Sequence, residues 1–404
     1  MSKKVENLLR DSGKPLFYKV DSNSELNLKA PEKRLGEDLR TAVRSLTIFQ
    51  KEALVTSAKT GQTWRLASDE GAYLNGTDYA PAPLCFLTVG MISSYMNEVI
   101  ALAKIRNITI KNIRLIQDNY YSMEGSMVRG TMIASAHDVD LEAQIESDAS
   151  RKDLMQLMMD AIAASPLNGL MRGKHESLFT LSHNGEELEP EKALPIGKPV
   201  LVDPKVSMDE ALPAQGDWND MCIKGGLTPE HKNSVSGAGS SLTDHQSRLL
   251  HLRAYCTLRD DGIKEITQHL YNPHGSVFTL LSEEGEGNGG KGRAPDATTY
   301  ISAGIGFCFM TQFGRYAKMN NKNLTDYRIV QDSHFTLGGA SGGTGVAGKA
   351  DPLETHVYLN SSEDNTFAKN ILDVSEQTCF LHAFCKTDLK TKIKLGDYTQ
   401  SNTD

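Results

Sequence analysis

Cys308 and Cys379 are the residues of this chain best placed to do chemistry, because a repeat defines them as a pair. When the sequence is slid against itself by 214 positions, Ser94 falls on Cys308 and Ser165 falls on Cys379. One copy therefore holds two thiols where its sister holds two hydroxyls. A thiolate is a nucleophile, and two neighbouring thiols can pass reversibly through a disulfide. A free cysteine taken singly is most often a small buried hydrophobe. Here both positions change together, so the thiols are kept or lost as a unit, which suggests that they work as one.

The elements that position the pair follow from the same repeat. Arg114-Leu115-Ile116-Gln117-Asp118 falls on Arg328-Ile329-Val330-Gln331-Asp332, Gly90 on Gly304, and Ala103-Lys104 on Ala317-Lys318. A repeat this long is a duplicated domain rather than a solenoid. The expected division is a leader over 1–35, copy one over 36–181, a linker over 182–246 and copy two over 247–404. Within copy two, Leu249 to Leu258, Ile263 to Leu270 and Ser276 to Leu281 read as strands separated by Asp-Asp-Gly and Asn-Pro-His-Gly turns. Ala297 to Met319 reads as a helix that is apolar on nearly every side and hence buried. Strands follow over Asp326 to Leu337 and Glu354 to Leu359, then a helix over Phe367 to Phe384 and a last strand over Lys390 to Leu395. The order β-β-β-α-β-β-α-β is that of an α+β domain. The linker carries five prolines between Pro190 and Pro213, then Gly225-Gly226 and the Ser234–Ser241 stretch. It reads as a segment that wraps rather than packs, with Trp218 and Met221 able to dock.

The 404 residues allow a sizeable core in each of two domains. A net charge of −8 argues against nucleic acid or an anionic membrane as partner. The first residues have no apolar core of signal-peptide length, and no apolar run of spanning length occurs, so export and membrane insertion are not expected. Six cysteines without framework spacing fit a reducing compartment, and the cytoplasm is expected.

Copy two resembles the OsmC/Ohr family, the osmotically inducible protein C and organic hydroperoxide resistance proteins. The resemblance is carried by Ser302-Ala303-Gly304-Ile305-Gly306-Phe307-Cys308-Phe309-Met310 and by Ser375-Glu376-Gln377-Thr378-Cys379-Phe380-Leu381-His382. Copy one is similar to a relative that has lost both cysteines, and keeps Ser165-Pro166 where many members have Cys-Pro. The resemblance implies a thiol peroxidase that needs no metal or flavin, with Cys308 peroxidatic and Cys379 resolving. A peroxide is the implied substrate and an external thiol the implied reductant. It also implies an arginine near the thiolate, at the end of the first strand before a glycine turn. Arg259, followed by Asp260-Asp261-Gly262, matches that context. The Ohr branch has a glutamate partner for this arginine, but here the spot falls near Thr298, with Asp296 the closest carboxylate. Because family members form intertwined homodimers, two joined copies imply a dimer built into one chain, with a vacant site at Ser94 and Ser165.

Other motifs carry less. Gly343 to Lys349 spells G-x-x-x-x-G-K, but Ala350 stands where a phosphate loop needs Ser or Thr. Cys379-x-x-His382-x-x-Cys385 has ligand-like spacing without a fourth ligand. Cys85 and Cys256 read as packing residues, and Cys222 as an exposed linker thiol. The rival functional class is a binding protein: a tandem scaffold holding an apolar or thiol-containing ligand without turnover.

Overall fold

Both copies follow the expected element order, apart from an added short strand in copy one and a divided second helix in each, but neither builds its own sheet. The computed structural model describes residues 6–26, 28–229, 241–286 and 289–399, so 234–240 of the Ser/Gly stretch lie outside them. Ahead of copy one come α1 (Leu8–Asp11) and β1 (Phe17–Lys19). Copy one contains β2 (Gly36–Ser45), β3 (Lys51–Ser57), β4 (Thr63–Ser68), α2 (Pro83–Ile105), β5 (Ile110–Ser126), β6 (Ile133–Ala136), β7 (Val139–Ser147), α3 (Arg151–Ala164), α4 (Pro166–Arg172) and β8 (Leu178–His183). The connecting segment adds β9 (Glu186–Leu188), β10 (Leu194–Pro195), α5 (Lys205–Glu210) and β11 (Cys222–Leu227). Copy two contains β12 (His245–Leu258), β13 (Lys264–Asn272), β14 (Ser276–Ser282), α6 (Ala297–Met319), β15 (Leu324–Thr336), β16 (Glu354–Ser361), α7 (Asn365–Gln377), α8 (Phe380–Lys386) and β17 (Thr391–Gly396).

Two sheets result, and each draws strands from both copies. One runs β1-β4-β3-β2-β15-β16-β8-β10, the other β11-β14-β13-β12-β5-β7-β17. The first three strands of each copy thus pair with the middle strands of the other. At one junction β2 and β15 run antiparallel, with Arg40 opposite Asp332. At the other, Arg253 of β12 lies opposite Asp118 of β5. Both are bidentate ion pairs, at 2.7 Å for both bonds of the first and 2.8 and 2.9 Å in the second. Paired planar groups of this kind fix register as well as contributing energy. The chain is a pseudo-dimer closed by its own backbone.

α2 and α6 cross at the centre. Gly90 and Gly304, equivalent in the repeat, make the crossing possible. A Cβ on Gly90 would lie 2.6 Å from Ile301 Cγ1, and one on Gly304 would lie 2.9 Å from Leu87 N. By length and composition α2 is apolar enough to cross a membrane, but 83% of its most apolar window is buried inside the fold. It is a core helix, as a helix apolar all round should be. Asp296 caps α6 by accepting from Thr299 N at 2.7 Å, an interaction worth about 1 kcal/mol.

The leader and linker pack as well as wrap. β1 joins the edge of one sheet and β11 the edge of the other. β3 is buried at every residue, because Tyr18, Val20, Met208 and Ala211 cover Leu54 on its outer face. Trp218 docks edge-on against Trp64, with ring centroids 5.6 Å apart. Cys222, expected to be exposed, is 7% exposed because β11 pairs it with Leu280.

Candidate active site

Cys308 lies mid-way along α6, and Thr311, Gln312 and Arg315 follow it at i+3, i+4 and i+7 on one helical face. That face lines a narrow cavity whose opposite wall comes from copy one, through Glu70, Tyr73 and Leu84. β12 and β13 add Arg248, Leu250 and Leu270, and α8 adds Phe380. The site is therefore composite, and neither copy encloses it alone.

The second helix of copy two does not run through Cys379, as the sequence pattern suggested. α7 stops at Gln377, and Cys379, with an extended backbone (ψ 115°), starts α8. The break turns the thiol inward. Cys308 is 2% exposed and Cys379 is fully buried. The two thiols are free and close enough to act on each other electrostatically. Burial pushes the Cys379 thiol well above its ordinary range, and the neighbouring Cys308 thiol adds to this, while the N–H groups of His382 and Leu381 partly oppose it. Cys379 is held as the protonated partner.

In copy one the same place holds the Ser94 and Ser165 hydroxyls, 2.7 Å apart. Ser165 also caps α4, accepting from Leu167 N at 3.2 Å. The glycine-rich loop between β15 and β16 closes over this pair. Gly348 N donates to Ala163 O at 2.9 Å, and a Cβ on Gly348 would lie 2.0 Å from Ser165 O. The G-x-x-x-x-G-K segment is thus a close-packed strand connection.

The thiol cavity collects charge from both copies. Glu70 accepts from Thr311 Oγ1 and from the Tyr73 hydroxyl, each at 2.6 Å. Burial pushes its carboxyl up, while Lys51 and the two hydroxyls pull it back. Lys51 is fully buried and donates to Phe49 O at 2.8 Å; burial pulls its ammonium down, while Glu70, Asp69 and Cys308 oppose that shift. Arg315 donates from Nε to Ser241 O at 2.9 Å and from Nη1 to Met123 Sδ at 2.8 Å. Arg315 Nη2 and Arg248 Nε are buried donors without partners among the described residues.

Arg259 is not part of this cavity. It sits in the turn after β12 with a side chain 47% exposed, 3.5 Å from Asp261. A strand extends about 3.4 Å per residue, so that turn is roughly 35 Å along β12 from Arg248. The buried cations of the site are instead Arg248 at the start of β12, Arg315 on the thiol's own helix and Lys51. The i+7 spacing from Cys308 was the available signal for Arg315. Asp296, the nearest carboxylate by sequence, is engaged as the α6 cap, and the carboxylate in the cavity is Glu70 of copy one. No group of three or more His, Cys, Asp or Glu able to hold a metal occurs among the described residues.

This architecture is a duplicated α+β protein with a thiol pair at the seam between its halves. Residues 289–394, which include both cysteines, match the family model described as OsmC-like protein. The crystal structure of an OsmC-like hydroperoxide resistance protein from Jannaschia sp. CCS1 is 19% identical over 32% of this chain and 81% of that chain, with a TM-score of 0.19. No curated protein matches the chain.

Proposed function

We propose that this chain is a thiol-dependent peroxidase with one working site, at Cys308. The observation that carries the reading is the contrast between the two equivalent places. Around Cys308 and Cys379 stand Arg248, Arg315, Lys51 and Glu70. Around Ser94 and Ser165, the repeat puts Ala101 where Arg315 stands and Asn97 where Thr311 stands. The thiols and the mid-helix arginine stand on the same side, while the other side keeps a buried lysine and a carboxylate, Lys264 and Glu284, both in contact with Asn97.

In the proposed reaction the Cys308 thiolate attacks the distal oxygen of a hydroperoxide. The O–O bond breaks, the hydroxyl stays on sulfur as a sulfenic acid, and an alkoxide leaves. Burial favours the protonated form of Glu70, so its carboxyl is a proton source for that alkoxide within the same cavity. The Cys379 sulfur then attacks the sulfenic acid, water leaves, and a Cys308–Cys379 disulfide forms. An external dithiol returns both electrons, which suits a reducing compartment such as the cytoplasm. Neither metal nor flavin enters the scheme.

The test is one equivalent of tert-butyl hydroperoxide on the reduced chain, followed by alkylation and peptide mapping. The expected product is a Cys308–Cys379 disulfide. Cys308→Ser is expected to abolish peroxide consumption, and Cys379→Ser to give one turnover followed by sulfinic acid at Cys308. If both thiols stay alkylatable after full exposure, the peroxidase reading falls and the chain is a ligand-binding scaffold.

A further inference from the structure

Tyr121, supplied by the copy without cysteines, is a buried hydroxyl that the structure leaves unpartnered. It lies on β5, is 1% exposed, and finds no hydrogen-bond partner among the described residues. Asn119, on the same strand face, acts on that hydroxyl and pulls its pKa down, but the bonds its amide makes are to Gln117 at 2.7 Å and Met91 at 3.3 Å. The Tyr121 ring packs on Phe380, the residue after Cys379, with centroids 5.8 Å apart. In the sheet it pairs with Leu250, which lines the thiol cavity. Cys308 is among the charges acting on its hydroxyl, and burial holds that hydroxyl well above its ordinary range, hence protonated.

An orphaned buried hydroxyl costs stability, and a phenylalanine would avoid that cost. The molecule makes that substitution at the vacant site, where Phe335 is the repeat equivalent of Tyr121. The tyrosine is kept only on the side that has a thiol. We infer that Tyr121 is a positioning residue of the Cys308 centre, whose O–H donates a hydrogen bond to the sulfur when Cys308 is a thiolate. It transfers no proton and takes part in no bond exchange. The other charged or titratable groups around Cys308 are Lys51, Glu70, Tyr73, Arg248, Arg315, Cys379 and Cys385.

The inference rests on the thiolate reading of Cys308, but its test needs no peroxide. The pH profile of iodoacetamide alkylation at Cys308 is mapped by peptide for the native chain, Tyr121→Phe and Phe335→Tyr. Tyr121→Phe is expected to move the profile about one unit to higher pH, since a hydrogen bond to a charged sulfur is lost. Its thermal midpoint should be unchanged or raised, since no existing bond is removed. Phe335→Tyr should leave the profile in place. Incorporating the more acidic 3-fluorotyrosine at 121 should move it to lower pH. An unmoved profile in Tyr121→Phe, or a large fall in its thermal midpoint, overturns the inference. Peroxide turnover of the native chain, measured separately, decides the peroxidase reading independently.

Discussion

The Ser94 and Ser165 hydroxyls meet at 2.7 Å in the place that Cys308 and Cys379 hold across the pseudo-twofold. The backbone geometry of a thiol pair is thus preserved where no thiol remains. What differs is the surroundings, with Ala101 and Phe335 replacing Arg315 and Tyr121.

That difference predicts the outcome of restoring the pair. Ser94→Cys with Ser165→Cys should give a second disulfide under a strong oxidant, because the positions already meet. It should add no peroxide turnover, because the mid-helix arginine and the tyrosine are missing. Mapping disulfides alongside the rate of peroxide loss checks both halves. A doubled rate would show that the thiols suffice without their surroundings.

Arg315→Met should lower the peroxide rate by about a hundredfold or more, the usual scale for removing a buried charge from a reacting centre. Arg259→Ala should change it less than about twofold, because that side chain is a solvated turn residue. Steady-state kinetics with both variants decides which arginine matters. Equal losses would reinstate the turn.

Glu37 on β2 is nearly buried, and burial with the charge of Asp296 pushes its carboxyl up to about 7, despite Lys59 at 2.7 Å. Its folded value lies above its unfolded one. The unfolded chain therefore binds fewer protons between about 4.5 and 7, and stability falls as pH rises through that window. Urea unfolding across the window should show a decline on the order of 2–3 kcal/mol, flattened in Glu37→Gln. A native curve no steeper than that of the variant would contradict this.

Gly90→Ala should destabilise the chain by about 1–3 kcal/mol, as overpacking at a close crossing does. The new methyl would meet Ile301 Cγ1 at 2.6 Å and Ala297 O at 2.7 Å. Gly226→Ala, with nothing within 4 Å of its Cβ, is the control. Urea midpoints that match would mean the helices can separate without loss.

The thiol pair, the two copies and the order of their elements were legible because all three are local or repeated patterns. The exchange of strands between copies was not. Alternation along β2 or β12 tells which face is buried, but in a duplicated chain two equivalent strands offer the same partner edge. Glu70 was missed for the same reason, since nothing in its neighbourhood points to a cysteine 238 positions later. Arg259 was chosen from its turn context, whereas the cavity takes its cations from the start of that strand and from the helix itself. The break before Cys379 is a backbone event that the apolar pattern of the segment does not mark.

The composite sheets have a consequence for how such a protein can change. In a dimer of identical chains, every substitution is made twice, so loss of an arginine in one site is loss in both. A single chain carrying both halves is free of that symmetry. Ala101 can replace an arginine in one half while Arg315 stays in the other, and Tyr121 can face a sulfur while Phe335 fills space. One half is then free to specialise as the wall of the other's site, an option closed to a protein that must assemble from two copies of itself.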